Sequence, residues 1–287
     1  MKVFSRLAAI AATTAALLSS ISAALAGMGQ PSPWQIGLQD AATPIMADIT
    51  WFHDVLLWII AGISAFVLLL LLIIILRFNA RANPTPTRTT HNTFLEVLWT
   101  IVPVIILACI AVPSFRLLFV QLEVPKPDLT VKATGSQWYW TYNYPDNGNL
   151  NITSTMVADS DLKPGQLRLL SVEPDHEMVV PVNKVVHVIV TAAATDVIHS
   201  FTVPSFGIRI DAVPGRINET WFKATTEGMF YGQCSELCGE NHSFMPIVVK
   251  VVSDADFATW LAAQAHPAAE NETGPRTTVA AAEAPSH

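Results

Sequence analysis

The stretch Cys234-Ser-Glu-Leu-Cys238-Gly-Glu-Asn-His242-Ser-Phe-Met245 puts two thiols, an imidazole and a thioether within a dozen residues. Thiolate and thioether are soft donors that select copper, and imidazole suits copper as well. A zinc site rarely uses Met, so this donor set points to copper and to electron transfer. Three other readings compete. Spacings of four, four and three could be one face of a helix, although Gly232, Gly239, Asn241 and Pro246 favour a loop. Cys234 and Cys238 could form a disulfide in an oxidising compartment, which would leave His242 and Met245 without a purpose. The cysteine pair could also carry copper only in transit.

A second histidine has to come from elsewhere, and His199 is the candidate. It stands in Asp196-Val-Ile-His199-Ser-Phe, on a strand just before the Val203-Pro204 corner. Cupredoxin sandwiches take one histidine from such a strand and the remaining ligands from a terminal loop. The other histidines are weaker: His187 lies inside an alternating strand, His176 in an acidic loop, and His53 and His91 at the ends of apolar runs. Cys109 sits inside an apolar run and reads as a small apolar residue.

The rest of the chain reads as an exported, membrane-anchored domain that would carry these ligands. Of its 287 residues 51% are hydrophobic and 14% charged, with a net charge of −7. Soluble domains carry roughly 25% charged residues, so a purely soluble protein is disfavoured, and the negative balance argues against a nucleic-acid partner. Three cysteines are too few for a disulfide framework. Lys2 and Arg6, an apolar stretch from Leu7 to Leu25 and Ala24-Leu25-Ala26 read as a cleaved export signal over residues 1–26. Val55 to Leu76 and Val97 to Phe115 are uncharged and long enough to cross a hydrocarbon core of about 30 Å. Residues 27–120 therefore form an N-terminal segment and a transmembrane hairpin, with helices over about 52–76 and 95–118. The connecting loop holds Arg77, Arg81 and Arg88 and no acid, which places it in the cytoplasm and both ends of the hairpin outside, in the periplasm.

From Leu129 onward the pattern turns to short β-branched runs, such as Val185-Val-His-Val-Ile-Val and Ile247-Val-Val-Lys-Val-Val, punctuated by Gly and Pro turns. This predicts an all-β sandwich over residues 121–265, closed by a short helix from Asp254 to Ala265. Residues 266–287 are rich in Ala, Pro, Thr and Glu without apolar periodicity and read as a disordered tail.

Taken together, the chain resembles subunit II of the bacterial aa3-type haem-copper cytochrome c oxidases. The resemblance rests on the export signal, the hairpin, Gln137-Trp-Tyr-Trp140, Asp196-Val-Ile-His199, Asp211-Ala-Val-Pro-Gly-Arg216 and the loop from Cys234 to Met245. It implies a cupredoxin-like domain with a binuclear CuA copper centre. Cys234 and Cys238 would bridge two copper ions, His199 and His242 would each bind one, and Met245 and the Glu236 carbonyl would be weaker ligands. It also implies that Trp138 receives electrons from cytochrome c and that the Glu236 side chain helps bind Mg at the boundary with subunit I. Glu96 would stand at the mouth of a proton pathway into subunit I. Haem a groups, oxygen reduction to water and proton pumping would belong to subunit I, with subunit III as a further partner and lipid around the hairpin.

One departure stands out. The aromatic box continues as Tyr142-Asn-Tyr-Pro-Asp-Asn-Gly-Asn149 with Asp146 as its only acid, where the family usually has several. Residues 121–263 still hold 16 acids against nine Lys and Arg. Charge for docking cytochrome c must then come from Asp159, Asp161, Glu173, Asp175, Glu177 or Asp196. A quinol oxidase subunit would lack the copper ligands, and a tethered copper carrier would not need Trp138 or Glu96.

Overall fold

The computed structural model describes residues 29–32 and 34–265. The expected export signal at 1–26 and the expected tail at 266–287 lie outside the described residues. Two long helices come first, α1 (Pro44–Arg77) and α2 (Thr93–Leu122). Both are long and apolar enough to cross a membrane, and the side chains of their apolar stretches are exposed in the single chain. Pro103 and Pro113 lie inside α2, which continues through both.

Both helices outrun the uncharged segments that announce them. At 1.5 Å per residue α1 is about 51 Å long, well beyond a hydrocarbon core of about 30 Å. Its start lies eight residues before the expected 52 because Thr43 caps it: the Thr43 hydroxyl accepts the Met46 N–H at 3.0 Å, and Pro44 opens the first turn. The same hydroxyl donates to the Phe206 carbonyl at 2.8 Å, and Ile45 and Met46 are buried. The first turn of α1 is thus part of the β-domain's surface. At the other end of the hairpin, the Trp221 indole donates to the Val120 carbonyl at 3.2 Å, and α2 runs to Leu122 rather than 118.

The β-domain has ten strands: β1 (Leu129–Ser136), β2 (Tyr139–Tyr144), β3 (Leu150–Ser154), β4 (Met178–Pro181), β5 (Val186–Ala192), β6 (His199–Val203), β7 (Ile208–Ala212), β8 (Asn218–Phe222), β9 (Gly228–Gln233) and β10 (Pro246–Val252). A five-stranded sheet runs β3-β2-β1-β5-β8, a three-stranded sheet β4-β10-β9, and β6-β7 form a hairpin. β1 lies parallel to β5 and β10 parallel to β4; the other pairings are antiparallel. Burial alternates along β1 and β5, as a sheet with one face on a core requires. That core joins Trp140, Tyr142 and Tyr144 from β2 with Phe201, Phe230, Ile247 and Val249 from the other strands. Each fully buried Val, Ile or Phe contributes about 1.5–3 kcal/mol. α3 (Asp254–Ala265) follows β10 and lays Trp260 edge-on against Tyr144, 5.4 Å between centroids.

Candidate metal centre

The cysteine loop is held at both ends by one strand pair. β9 ends at Gln233 and β10 begins at Pro246, and these two residues are register partners. Residues 234–245 therefore leave and return at neighbouring points of a sheet. Loop geometry prevails over the helical alternative: only His242–Phe244 forms a 3-10 turn. β6 brings His199 to the loop from another hairpin, and the Ser235 N–H donates to the Ser200 carbonyl at 3.1 Å. Gly232 permits this approach, since a Cβ there would lie 1.9 Å from the Thr202 carbonyl oxygen.

The donor atoms converge. The Cys234 and Cys238 sulfurs are 3.8 Å apart and both thiols are free. His199 Nδ1 lies 3.9 Å from the Cys234 sulfur, and His242 Nδ1 lies 3.4 Å from that of Cys238. Met245 Sδ is 3.6 Å from the Cys238 sulfur, and the Glu236 carbonyl is 3.4 Å from that of Cys234. The ligand atoms of His199, Cys234 and Cys238 all lie within 4.8 Å of one another and are buried. His242 joins from the far side of Cys238, half-buried. Two sulfurs at this separation can share an ion at a metal–thiolate distance of about 2.3 Å, with one imidazole at each end of the pair. Soft sulfur, imidazole, thioether and carbonyl donors in a water-poor pocket fit copper.

Without a metal, the electrostatics prepare one thiolate and keep the second thiol neutral. Burial alone would raise the Cys234 thiol, but hydrogen bonds from His199 and from the backbone near Ser200 and Glu236 outweigh it and lower it to about 6. Burial and the adjacent Cys234 charge push Cys238 up to about 12. His199 is raised: burial opposes its charge, but Cys234 and Asp196 together outweigh burial.

Trp138 packs half-buried against the same loop, and its indole N–H donates to the Cys238 carbonyl at 3.3 Å. Gln137 Nε2 donates to that carbonyl at 2.8 Å. Trp140 is fully buried and donates to the Met245 carbonyl at 3.3 Å, so it is a packing residue that also anchors the loop. The Glu236 carboxylate points away from the sulfurs, 4.0 Å from Arg209 Nη2, and Arg209 also donates to the Ser235 carbonyl at 3.0 Å.

The chain matches the family model for the cytochrome c oxidase subunit II periplasmic domain over residues 129–252. It matches that for the subunit II transmembrane domain over residues 31–117. A protein of Rickettsia bellii named "Probable cytochrome c oxidase subunit 2" is 51% identical over 243 residues, which is 85% of this chain and 89% of that protein. The chain belongs to the cytochrome c oxidase subunit II family. Cytochrome c oxidase subunit 2 of Cereibacter sphaeroides is 47% identical over 251 residues, 82% of each chain. A crystal structure of the periplasmic domain of subunit II of cytochrome oxidase (CoxB) of Bradyrhizobium japonicum is 59% identical, covering 50% of this chain and 99% of that one, with a TM-score of 0.46.

As a member of the cytochrome c oxidase subunit II family, the chain is a membrane protein and a subunit of an oxidase complex, with other oxidase subunits as partners. Its hairpin is the transmembrane part and its β-domain the copper-fitting part. Glu96 stands apart from the cluster, in the first turn of α2, behind an Asn92 cap. With about 45 Å of helix between its ends, α2 separates Glu96 from the β-domain. His187 faces outward on β5, 3.4 Å from the Glu219 carboxylate, and stays outside the centre. Asp196 differs most from the sequence reading. Its side chain is only 13% exposed and both its oxygens are engaged inside the domain. Gln137 and Asp196 were not expected at the centre. The signal for them was position alone, one residue before Trp138 and three before His199.

Proposed function

We propose that His199, Cys234, Glu236 (through its carbonyl), Cys238, His242 and Met245 hold a binuclear CuA centre that accepts electrons from cytochrome c and passes them to the haem of subunit I. The observation that carries this reading is the sulfur pair 3.8 Å apart with one imidazole beside each sulfur. Bound copper supplies one-electron redox chemistry. The chain's own residues supply the rest. Burial of both cysteines, His199 and Met245 excludes water. Strand ends fix the loop, so little has to move when charge arrives. Trp138 presents an aromatic face to the donor and reaches the ligand loop through the Cys238 carbonyl.

The same reading assigns residues 1–26 to a cleaved signal, 27–120 to the anchor and 121–265 to a periplasmic domain. The Glu236 carboxylate would help bind Mg at the boundary with subunit I. Glu96 would serve the cytoplasmic proton path, and subunit III and lipid would flank the hairpin. Reduction of oxygen to water and proton pumping would take place in subunit I, which carries the haem a groups.

Copper analysis and electron paramagnetic resonance on the purified oxidase test the proposal. Two coppers assigned to this subunit, with one unpaired electron coupled equally to both, are expected. A single labile copper, or an unloaded Cys234–Cys238 disulfide, would overturn it in favour of copper trafficking or thiol chemistry.

A further inference from the structure

We propose that Asp196 is a positioning residue that holds the electron-receiving turn and a copper-ligating imidazole on one carboxylate. This deepens the copper reading above and rests on it. Asp196 lies in the turn that leads into β6. Its Oδ2 accepts the Gln137 N–H at 2.9 Å. Its Oδ1 accepts the Val197 N–H at 2.7 Å and faces His199 Nε2 at 3.3 Å. His199 is fully buried, so no bulk water competes for that nitrogen. An imidazole that donates its Nε2 proton keeps its lone pair on Nδ1, and Nδ1 is the nitrogen aimed at the Cys234 sulfur. A carboxylate behind a ligating histidine fixes both tautomer and ring orientation and strengthens the ligand.

The second oxygen extends the same control across the site. Gln137, gripped through its backbone N–H, spends its side chain on the Cys238 carbonyl, and its neighbour Trp138 bonds that same carbonyl. One arm of contacts runs Asp196–His199–Cys234 and the other Asp196–Gln137–Cys238. Both cysteine residues are thereby tied to a single side chain on the sequence-distant turn, Cys234 through its sulfur and Cys238 through its backbone carbonyl. An amide in its place could accept on one oxygen only, so its NH2 would face either the Gln137 N–H or the Val197 and His199 side.

The test compares Asp196→Asn and Gln137→Ala oxidases with the unmodified complex. The readouts are copper retention against a chelator, the nitrogen hyperfine couplings of each histidine, and thermal stability. Asp196→Asn should weaken copper retention by about 10- to 100-fold and change the His199 coupling while sparing that of His242. Gln137→Ala should leave the His199 coupling alone. An Asp196→Asn oxidase with unaltered couplings and copper retention would reduce Asp196 to a turn cap and overturn the proposal. Should that variant not assemble, deuterium exchange in the unmodified oxidase decides. A His199 N–H that exchanges more slowly than that of half-buried His242 supports the proposal, and equal rapid exchange sinks it. An unmodified complex with no copper in this subunit would instead fail the functional reading.

Discussion

The Trp138 indole N–H donates to the backbone carbonyl of Cys238, 3.3 Å away and 100 residues along the chain. The aromatic side chain on the domain's surface is thus one hydrogen bond from a candidate copper ligand. Trp138→Phe keeps an aromatic ring but removes the donor, and Trp138→Ala removes both. Both variants should keep the copper spectrum. Electron uptake from cytochrome c should slow by on the order of tenfold for Ala, equivalent to about 1.4 kcal/mol of barrier, and by less for Phe. Stopped-flow reduction of the copper centre measures this; an Ala variant with normal uptake would remove Trp138 from the route.

His242 is the half-buried ligand candidate and is held mainly by its 3-10 turn. His242→Asn and Cys234→Ser should both abolish the centre and the oxidase turnover together. Each should also lose the stabilisation that tight metal binding gives, about 4 kcal/mol for a ligand at a thousand times its dissociation constant. Metal analysis and thermal unfolding with and without copper check the pairing of the two losses. A His242→Asn protein that retained two coppers would place the second imidazole elsewhere.

The two thiols should respond oppositely to pH in copper-free, reduced protein. Cys234 is lowered from 9 to about 6 on folding. Its stabilisation is therefore complete above pH 9, shrinks as pH falls from 9, and is lost below about 6. Cys238 is raised from 9 to about 12, so its contribution is complete below pH 9 and disappears as pH rises through 12. The difference in thermal midpoint between the unmodified protein and Cys234→Ser should grow from pH 6 to 9. A difference independent of pH would contradict the assignment of the thiolate to Cys234.

Gly207 ties the anchor to the β-domain. Its φ is +71°, and a Cβ there would stand 2.7 Å from Ile49 Cδ1 and 3.1 Å from Met46 Cα. Gly207→Ala should cost on the order of 1–3 kcal/mol and loosen the first turn of α1 from the domain. Hydrogen exchange at residues 43–50 should rise while the copper centre survives. Unchanged protection there would mean that the helix does not depend on this contact.

With both Asp196 oxygens engaged, the other docking candidates are Asp159, Asp161, Glu173, Asp175 and Glu177. Of these, Asp159 is already paired with Arg168. Turnover with a basic cytochrome c should therefore vary with salt by less than about tenfold, at the low end of the 10–10³ range of electrostatic steering. A steep salt dependence would show that the remaining acids suffice.

The sequence by itself determined the elements and the chemistry. Cys234, Cys238, His242 and Met245 lie on one loop, so their convergence is a local property legible from spacing and from Gly and Pro. Charge-free runs marked both membrane helices, and β-branched runs marked β5 and β10. The ends of α1 were not legible, because its first turn is held by the Thr43–Phe206 contact across the fold. Only the tertiary structure decided what surrounds the ligands. Asp196 read as one more surface acid until the turn before β6 folded against Gln137, 59 residues away. Hydrogen bonds of that range depend on where two strands end relative to each other, and that is fixed by packing of the sandwich rather than by any local residue pattern.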